Sequence, residues 1–308
     1  MRLGFCLPQH GPDAGPEALI AVAQRAETLG FESLWVAERL LWPLEPRTPY
    51  PASPDGRLPE QARCQLDPLE SLTFVAAHTR TARLGTSVVN LPFHNPLVLA
   101  RRFASLDVLS GGRACVGLGN GWSADEFEAA GVPPRGRGRR IDEALAILKA
   151  VWTTDPVEFE GEHFRIPRSF IQPKPVQKPH PPIYYAAFTP AAMRRVALEA
   201  DGWNPAGLPV AAMGAMFQSM REMAEGAGRD PGALELVVRA NVWIGERPLS
   251  DPRAVFTGDP DQIAADIAAT RDLGADELLF DAQPSKNVNS TDDLLAAGEQ
   301  LFELAHRG

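Results

Sequence analysis

Eight short apolar runs alternate with eight longer amphipathic runs from one end of the chain to the other, and this order sharply limits the folds open to it. The short runs cover residues 3–7, 33–37, 83–90, 113–119, 183–187, 202–204, 234–244 and 277–280. Following them, residues 16–29, 68–79, 96–109, 139–153, 191–200, 210–225, 262–273 and 291–305 carry apolar side chains at helical spacing. In the fourth, Ile141, Leu145, Leu148 and Trp152 share one face. Gly30 and Gly274 follow two of these helices, and glycine is the residue on which a helix most easily stops. Strict strand–helix alternation implies a parallel sheet. An open doubly wound sheet would usually carry a glycine-rich nucleotide turn after its first strand. Here that turn reads Pro8-Gln9-His10-Gly11-Pro12, which cannot serve. The pattern predicts α/β architecture, a (β/α)8 TIM barrel, with residues 1–308 as one domain.

The chain exceeds the ~250 residues of a typical barrel, and two proline-rich insertions stand out. Residues 38–67 carry six prolines and follow the second strand. Residues 156–182 carry seven and follow the fourth helix, with a small hairpin predicted over 157–165 around Glu160-Gly161-Glu162. The first insertion leaves the carboxyl end of a strand, the face on which barrel active sites are built. It reads equally as a lid or as a rigid decoration.

A net charge of −9 argues against nucleic acid or an anionic membrane as partner. No run approaches the ~20 apolar residues of a membrane span. Residues 1–8 are too short, and too soon broken by proline, to read as a signal peptide. Cys6, Cys64 and Cys115 include no CxxC pair, so neither a zinc ribbon nor a disulfide framework is indicated, and a cytoplasmic location is expected. The six histidines include no HxH or HExxH, which sets a metal-dependent hydrolase far behind; no metal site is expected.

Several passages carry a resemblance. They are LGTSVVNLPFHNPLVLARRFASLDVLSGGR, VGLGNGWSADEFEAAGV, RGRGRRIDEAL, PKPVQKPHPPI, DGWNP and FTGDPDQIAADIAATRDLGADELLF. Each is weak alone, but in this order and spacing the chain resembles the luciferase-like superfamily, and within it the branch dependent on coenzyme F420. The resemblance implies a flavin or deazaflavin at the carboxyl ends of the strands. It implies a non-prolyl cis peptide at Ser87–Val88, on the strand that ends at Asn90, supporting the central ring. At the end of the fourth strand, glycines let backbone approach a planar ligand. Asn120 offers donors and an acceptor to a pyrimidine edge, and Trp122 a flat wall. Asp125 is read either as a cofactor contact or as a cap of the following turn; Glu126 and Phe127 are read as holding the loop. Arg135, Arg137, Arg139 and Arg140 suit either a solvated turn or an oxyanion, with Arg137 carried as the ligand candidate.

Two departures from the family pattern affect the expected site. After the fifth strand relatives place a glycine-rich phosphate turn, where this chain has Ala186-Ala187-Phe188-Thr189-Pro190. Backbone donors at Ala187, Phe188 and Thr189 remain, but Phe188 crowds the place. After the second strand relatives often have Asp-His, and this chain has Glu38-Arg39. Arginine does not titrate near neutrality, so Arg39 cannot replace the histidine. Glu38, His10 and His94 are the alternatives for proton transfer. The expected function is hydride transfer between coenzyme F420 and a small organic substrate. The alternative is a monooxygenase using reduced flavin mononucleotide (FMN) and O2, and a non-catalytic flavin-binding relative is a further reading. A homodimer is expected from family habit and the apolar content of residues 96–109.

Overall fold

A computed structural model describes residues 1–51, 55–133 and 136–307. Eight parallel strands close into a barrel: β1 (Arg2–Cys6), β2 (Ser33–Val36), β3 (Arg83–Thr86), β4 (Ala114–Gly119), β5 (Ile183–Tyr185), β6 (Gly202–Trp203), β7 (Glu235–Asn241) and β8 (Glu277–Asp281). Each pairs with the next, β8 returns to β1 (Phe5 beside Phe280), and β3 meets β4 with Gly85 beside Cys115. Eight helices follow the strands in turn: α1 (Pro16–Leu29), α2 (Pro68–Ala76), α3 (Pro96–Ser110), α4 (Arg137–Thr153), α5 (Pro190–Glu199), α6 (Val210–Gly226), α7 (Pro260–Asp272) and α8 (Thr291–Ala305). The predicted barrel is the observed one.

Local chemistry sets the helix ends. Proline opens α1, α2, α3, α5 and α7, where its missing N–H costs nothing. Side chains of Asp67, Asn95, Thr189, Asp259 and Ser290 accept first-turn N–H groups. Gly30 ends α1 with φ +107°, a conformation that L side chains rarely adopt.

Side chains alternate across the barrel wall. Phe5, Leu34, Val116, Leu236 and Phe280 point outward into the main core against the helices. Cys6, Trp35, Cys115, Tyr184, Val237 and Leu279 fill the interior. Trp35 fits because Gly4 and Gly85 lack the Cβ that would meet its ring. At the amino end a buried polar network surrounds Glu277. Its carboxylate takes Ser33 Oγ at 2.5 Å, Trp35 Nε1 at 3.0 Å, Arg2 Nε at 3.1 Å and Arg83 Nη1 at 3.2 Å. Tyr184 joins Arg83 to Glu235 in the same network.

Three elements differ from expectation. The third strand breaks after Thr86 and resumes at Val89–Asn90, which pairs only with β4. The seventh stops at Asn241: Val242 N–H still reaches Asp281 O of β8, but Trp243 N–H turns to Phe256 O, and Trp243–Ile244 then pairs with Thr257–Gly258. The hairpin's return strand runs Arg165–Ser169, beyond residue 165, paired with Val157–Glu160.

Candidate active site at the carboxyl rim

The carboxyl ends of β2 and β3 are stitched together. Ser87 N–H reaches Val36 O at 2.7 Å, and Glu38 N–H reaches Val88 O at 3.1 Å. The Ser87–Val88 peptide is cis, at the position that the resemblance implied. Ser87 Oγ donates to Asn204 Oδ1 at 2.7 Å, and Asn204 Nδ2 donates to Val237 O at 2.7 Å. Asn204 in the DGWNP passage thus anchors this turn. Arg239 donates to Ser87 O and pairs with Asp281. Burial disfavours the Arg239 charge, but Asp281, Cys6 and Tyr50 together hold the guanidinium above its ordinary range.

Glu38 is buried at the same place. Its Oε2 accepts Asn90 N–H at 2.7 Å, and its Oε1 stands 2.6 Å from His94 Nε2. Two of the three proton-transfer candidates therefore form one pair. The third, His10, has no hydrogen-bonding partner for its ring among the described residues. Burial holds its imidazole below the ordinary range, with Asp281 raising and Arg239 lowering it. Its neighbour Gln9 is wholly occupied in structure: its amide joins Ala37 to Leu66 O.

Two glycines within β4 serve packing. A Cβ at Gly117 would strike Thr86 O, and one at Gly119 would meet Val88 Cγ2 at 2.5 Å. They let β4 lie against the interrupted third strand. Asn120 Oδ1 accepts the Tyr185 hydroxyl at 2.5 Å. No acceptor for its Nδ2 is found among the described residues.

Trp122 and Asp125 turn out to hold the first insertion. The Arg39 guanidinium lies 5.0 Å from the Trp122 ring centroid, and Tyr50 packs beside it at 5.5 Å. Asp125 takes Arg47 Nε at 2.8 Å and Arg47 N–H at 3.0 Å. The capping reading of Asp125 is corrected by this: Ser123 is the cap of the short helix Ala124–Ala129, and Asp125 faces the insertion. Glu126 holds the loop as expected, taking Arg39 Nη1 at 2.9 Å and Leu40 N–H at 2.8 Å. Burial keeps its carboxyl above the usual range although Arg39 opposes this.

Arg137 is exposed, 5.4 Å from the Phe127 ring centroid, and Arg139 pairs with Glu162 at 3.1 Å. Arg135 lies outside the described residues. After β5, Thr189 caps α5, and Phe188 is 53% exposed rather than wedged into the turn. The N–H groups of Ala187, Phe188 and Thr189 find no acceptor among the described residues. Sequence reasoning missed Tyr185, Asn204 and Arg239. Only the DGWNP passage signalled one of them. Among the described residues no His, Cys, Asp and Glu side chains cluster as metal ligands, and no helix is long and apolar enough to cross a membrane. Cavities of about 360 and 210 Å³ lie away from the rim, along the hairpin and at the amino end of β1.

Closed parallel barrels build their sites at the carboxyl ends of the strands, where Asn120 Nδ2 and the N–H groups of Ala187, Phe188 and Thr189 stand without acceptors among the described residues. The family model for luciferase-like monooxygenases matches residues 1–250, and the chain belongs to that family. An uncharacterized protein of Mycobacterium tuberculosis is 34% identical over 261 residues, 81% of this chain and 89% of the relative. The F420-dependent glucose-6-phosphate dehydrogenase of Kineococcus radiotolerans is 29% identical over 254 residues, 80% of this chain and 69% of that protein. Among solved structures, an F420-dependent secondary alcohol dehydrogenase in complex with an F420-acetone adduct superposes with TM-score 0.78 at 18% identity, covering 99% of both chains. A monooxygenase of Streptomyces bottropensis gives 0.77 at 22% identity, covering 98% of both.

Proposed function

We propose that this protein is an oxidoreductase that transfers hydride between coenzyme F420 and a small organic substrate. The observation that carries the reading is the Glu38–His94 pair at 2.6 Å, set beside the Ser87–Val88 turn. A carboxylate only accepts, and both oxygens of Glu38 are taken, so it orients the imidazole with Nε2–H toward itself. His94 Nδ1 then presents a lone pair, which takes the proton of a substrate hydroxyl in the oxidising direction and returns that proton to a carbonyl oxygen in the reducing one. Glu38 orients, and His94 acts.

The rim fits a flavin-type group. The Ser87–Val88 turn offers a backing surface, Asn120 a free N–H2, and the N–H groups of Ala187, Phe188 and Thr189 suit a phosphate ahead of the α5 N-terminus. When bound, such a group would supply the central-ring position that gives or accepts hydride, a carbon in the deazaflavin and a nitrogen in FMN. The dehydrogenases among the relatives support F420 as that group; the same donors suit FMN, the alternative cofactor.

Anaerobic titration with F420 and with FMN tests the choice, followed by turnover with alcohols and aldehydes. F420 should bind more tightly, and His94→Gln should lower turnover on the order of 100-fold or more with little loss of binding. Preference for FMN together with oxygen consumption would reverse the reading in favour of the monooxygenase.

A further inference from the structure

Side chains two apart on a strand point the same way, so those facing the bore of a barrel stack in layers. The layer beneath the carboxyl rim is closed by Cys6, Trp35, Val237 and Leu279, none more than 4% exposed. One layer higher, β7 and β8 supply Arg239 and Asp281, and the residues following β3 and β6 supply Ser87 and Asn204. These four are linked across the bore. Ser87 Oγ donates to Asn204 Oδ1 at 2.7 Å, and Arg239 donates to Ser87 O and to Asp281. At the same level Ala37 and Ala186, after β2 and β5, are small and half-buried, so the layer is only partly filled.

Most hydrogen-bonding groups in this layer are spent on one another. Val237 O can only accept, so Asn204 turns Nδ2 to it at 2.7 Å, which leaves Oδ1 for the Ser87 hydroxyl. Asp281 accepts from Arg239 on Oδ2 and from Gln283 N–H on Oδ1 at 3.2 Å, and its side chain is 3% exposed. Arg239 differs. Three of its N–H bonds go to Ser87 O, to Asp281 and, from Nε, to Asn241 Oδ1 at 3.0 Å. A guanidinium has more donors than these take, and the remainder meets no acceptor among the described residues. The Arg239 side chain is 18% exposed, and because the layer below is closed, that surface faces the mouth. The mouth therefore meets a cation whose counter-ion lies behind it.

We propose that Arg239 is a substrate-binding residue on the floor of the site, and that the substrate is a carboxylic acid bearing the hydroxyl or keto group that reacts. This rests on the reading of the rim as a site of hydride transfer. A guanidinium suits a carboxylate, because both are planar and each contact is a charge-assisted hydrogen bond. The Ser87–Val88 turn separates the two ends that such a molecule needs. Arg239 holds the turn at Ser87 O, while Glu38, the partner of His94, holds it at Val88 O through its N–H at 3.1 Å. The carboxylate would meet Arg239 on one side of the turn, and the reacting oxygen His94 on the other. In the oxidising direction the alcohol carbon gives hydride to the cofactor, the hydroxyl proton passes to His94 Nδ1, and a keto acid leaves with its carboxylate unchanged.

Lactate and propan-2-ol test this, because they differ only in a carboxylate where the alcohol has a methyl group. In the whole protein without cofactor, lactate should shift the Arg239 Nε–H resonance in NMR spectra, and propan-2-ol should not. Replacing Arg239 alone would strand Asp281, so Arg239→Met is combined with Asp281→Asn, and thermal unfolding checks that the pair folds. This double variant should weaken lactate binding roughly 10- to 100-fold, and Arg239→Lys, which keeps the charge, should lose less. With F420, kcat/KM for lactate should exceed that for propan-2-ol, and the double variant should remove the difference. A merely structural Arg239 would lower both substrates together. If lactate leaves the resonance unmoved, or if the double variant loses both substrates in proportion, the proposal is overturned while hydride transfer stands. A resonance that answers to F420 or FMN but not to lactate assigns the contact to the cofactor, and overturns the proposal as well. If lactate binds at Arg239 but neither compound is turned over with F420, the hydride-transfer reading fails and the acid-binding site remains.

Discussion

Glu277 shows how much one buried carboxylate can hold. It has no exposed side-chain surface and answers two arginines, a serine and a tryptophan. Glu277→Gln leaves Arg2 and Arg83 short of a counter-charge and should cost about 3 kcal/mol, read as a lower urea midpoint. His10 makes a different prediction. Its folded-state pKa lies below the unfolded one, so the stability it contributes is complete above the ordinary imidazole value and is lost as pH falls through it. Between about pH 7 and pH 5, melting temperature should fall less steeply in His10→Gln than in the unaltered protein; parallel curves would refute this. Such residues were unequally legible in the sequence. Glu38 and His94 could be singled out by type and place, but 56 residues separate them, and nothing local says that they touch.

At the scale of elements, periodicity and caps carried most of the information. The bounds of α1 and α8 agree with the sequence reading to the residue, since Pro16 and Gly30 mark one and Ser290 opens the other. Periodicity failed where the chain changes hydrogen-bonding partners without changing composition, as at Asn241 and Ser87. The first insertion posed a different problem: proline content signals stiffness but not attachment. Its attachments are Arg39 to Glu126, Arg47 to Asp125 and Glu128, and Thr48 to Ala124. The Arg47 contacts are exposed, so Arg47→Ala should leave melting temperature nearly unchanged. It should nevertheless speed tryptic cleavage after Arg57 and Arg63 if the loop depends on that clasp. Unaltered cleavage would mean that Arg39 and Tyr50 suffice.

Across the whole molecule, the barrel's two ends do different work. The amino end and interior are closed by Trp35, Tyr184 and the Glu277 network, with no slack around Gly85. Gly85→Ala should cost about 1–3 kcal/mol through overpacking against Trp35, measured by chemical denaturation; an unchanged midpoint would show that the indole can shift. The carboxyl rim has fewer fixed partners and draws its residues from several strand ends. Trp122 belongs to both the rim and the insertion. A ligand seated on the indole face that Arg39 covers takes the place of that guanidinium, so occupancy and loop attachment there compete for one surface. Such competition is reciprocal: whatever tightens the loop weakens the ligand by the same factor, and the ligand loosens the loop. Variation in the insertion can therefore retune affinity without any loop residue touching the bound molecule.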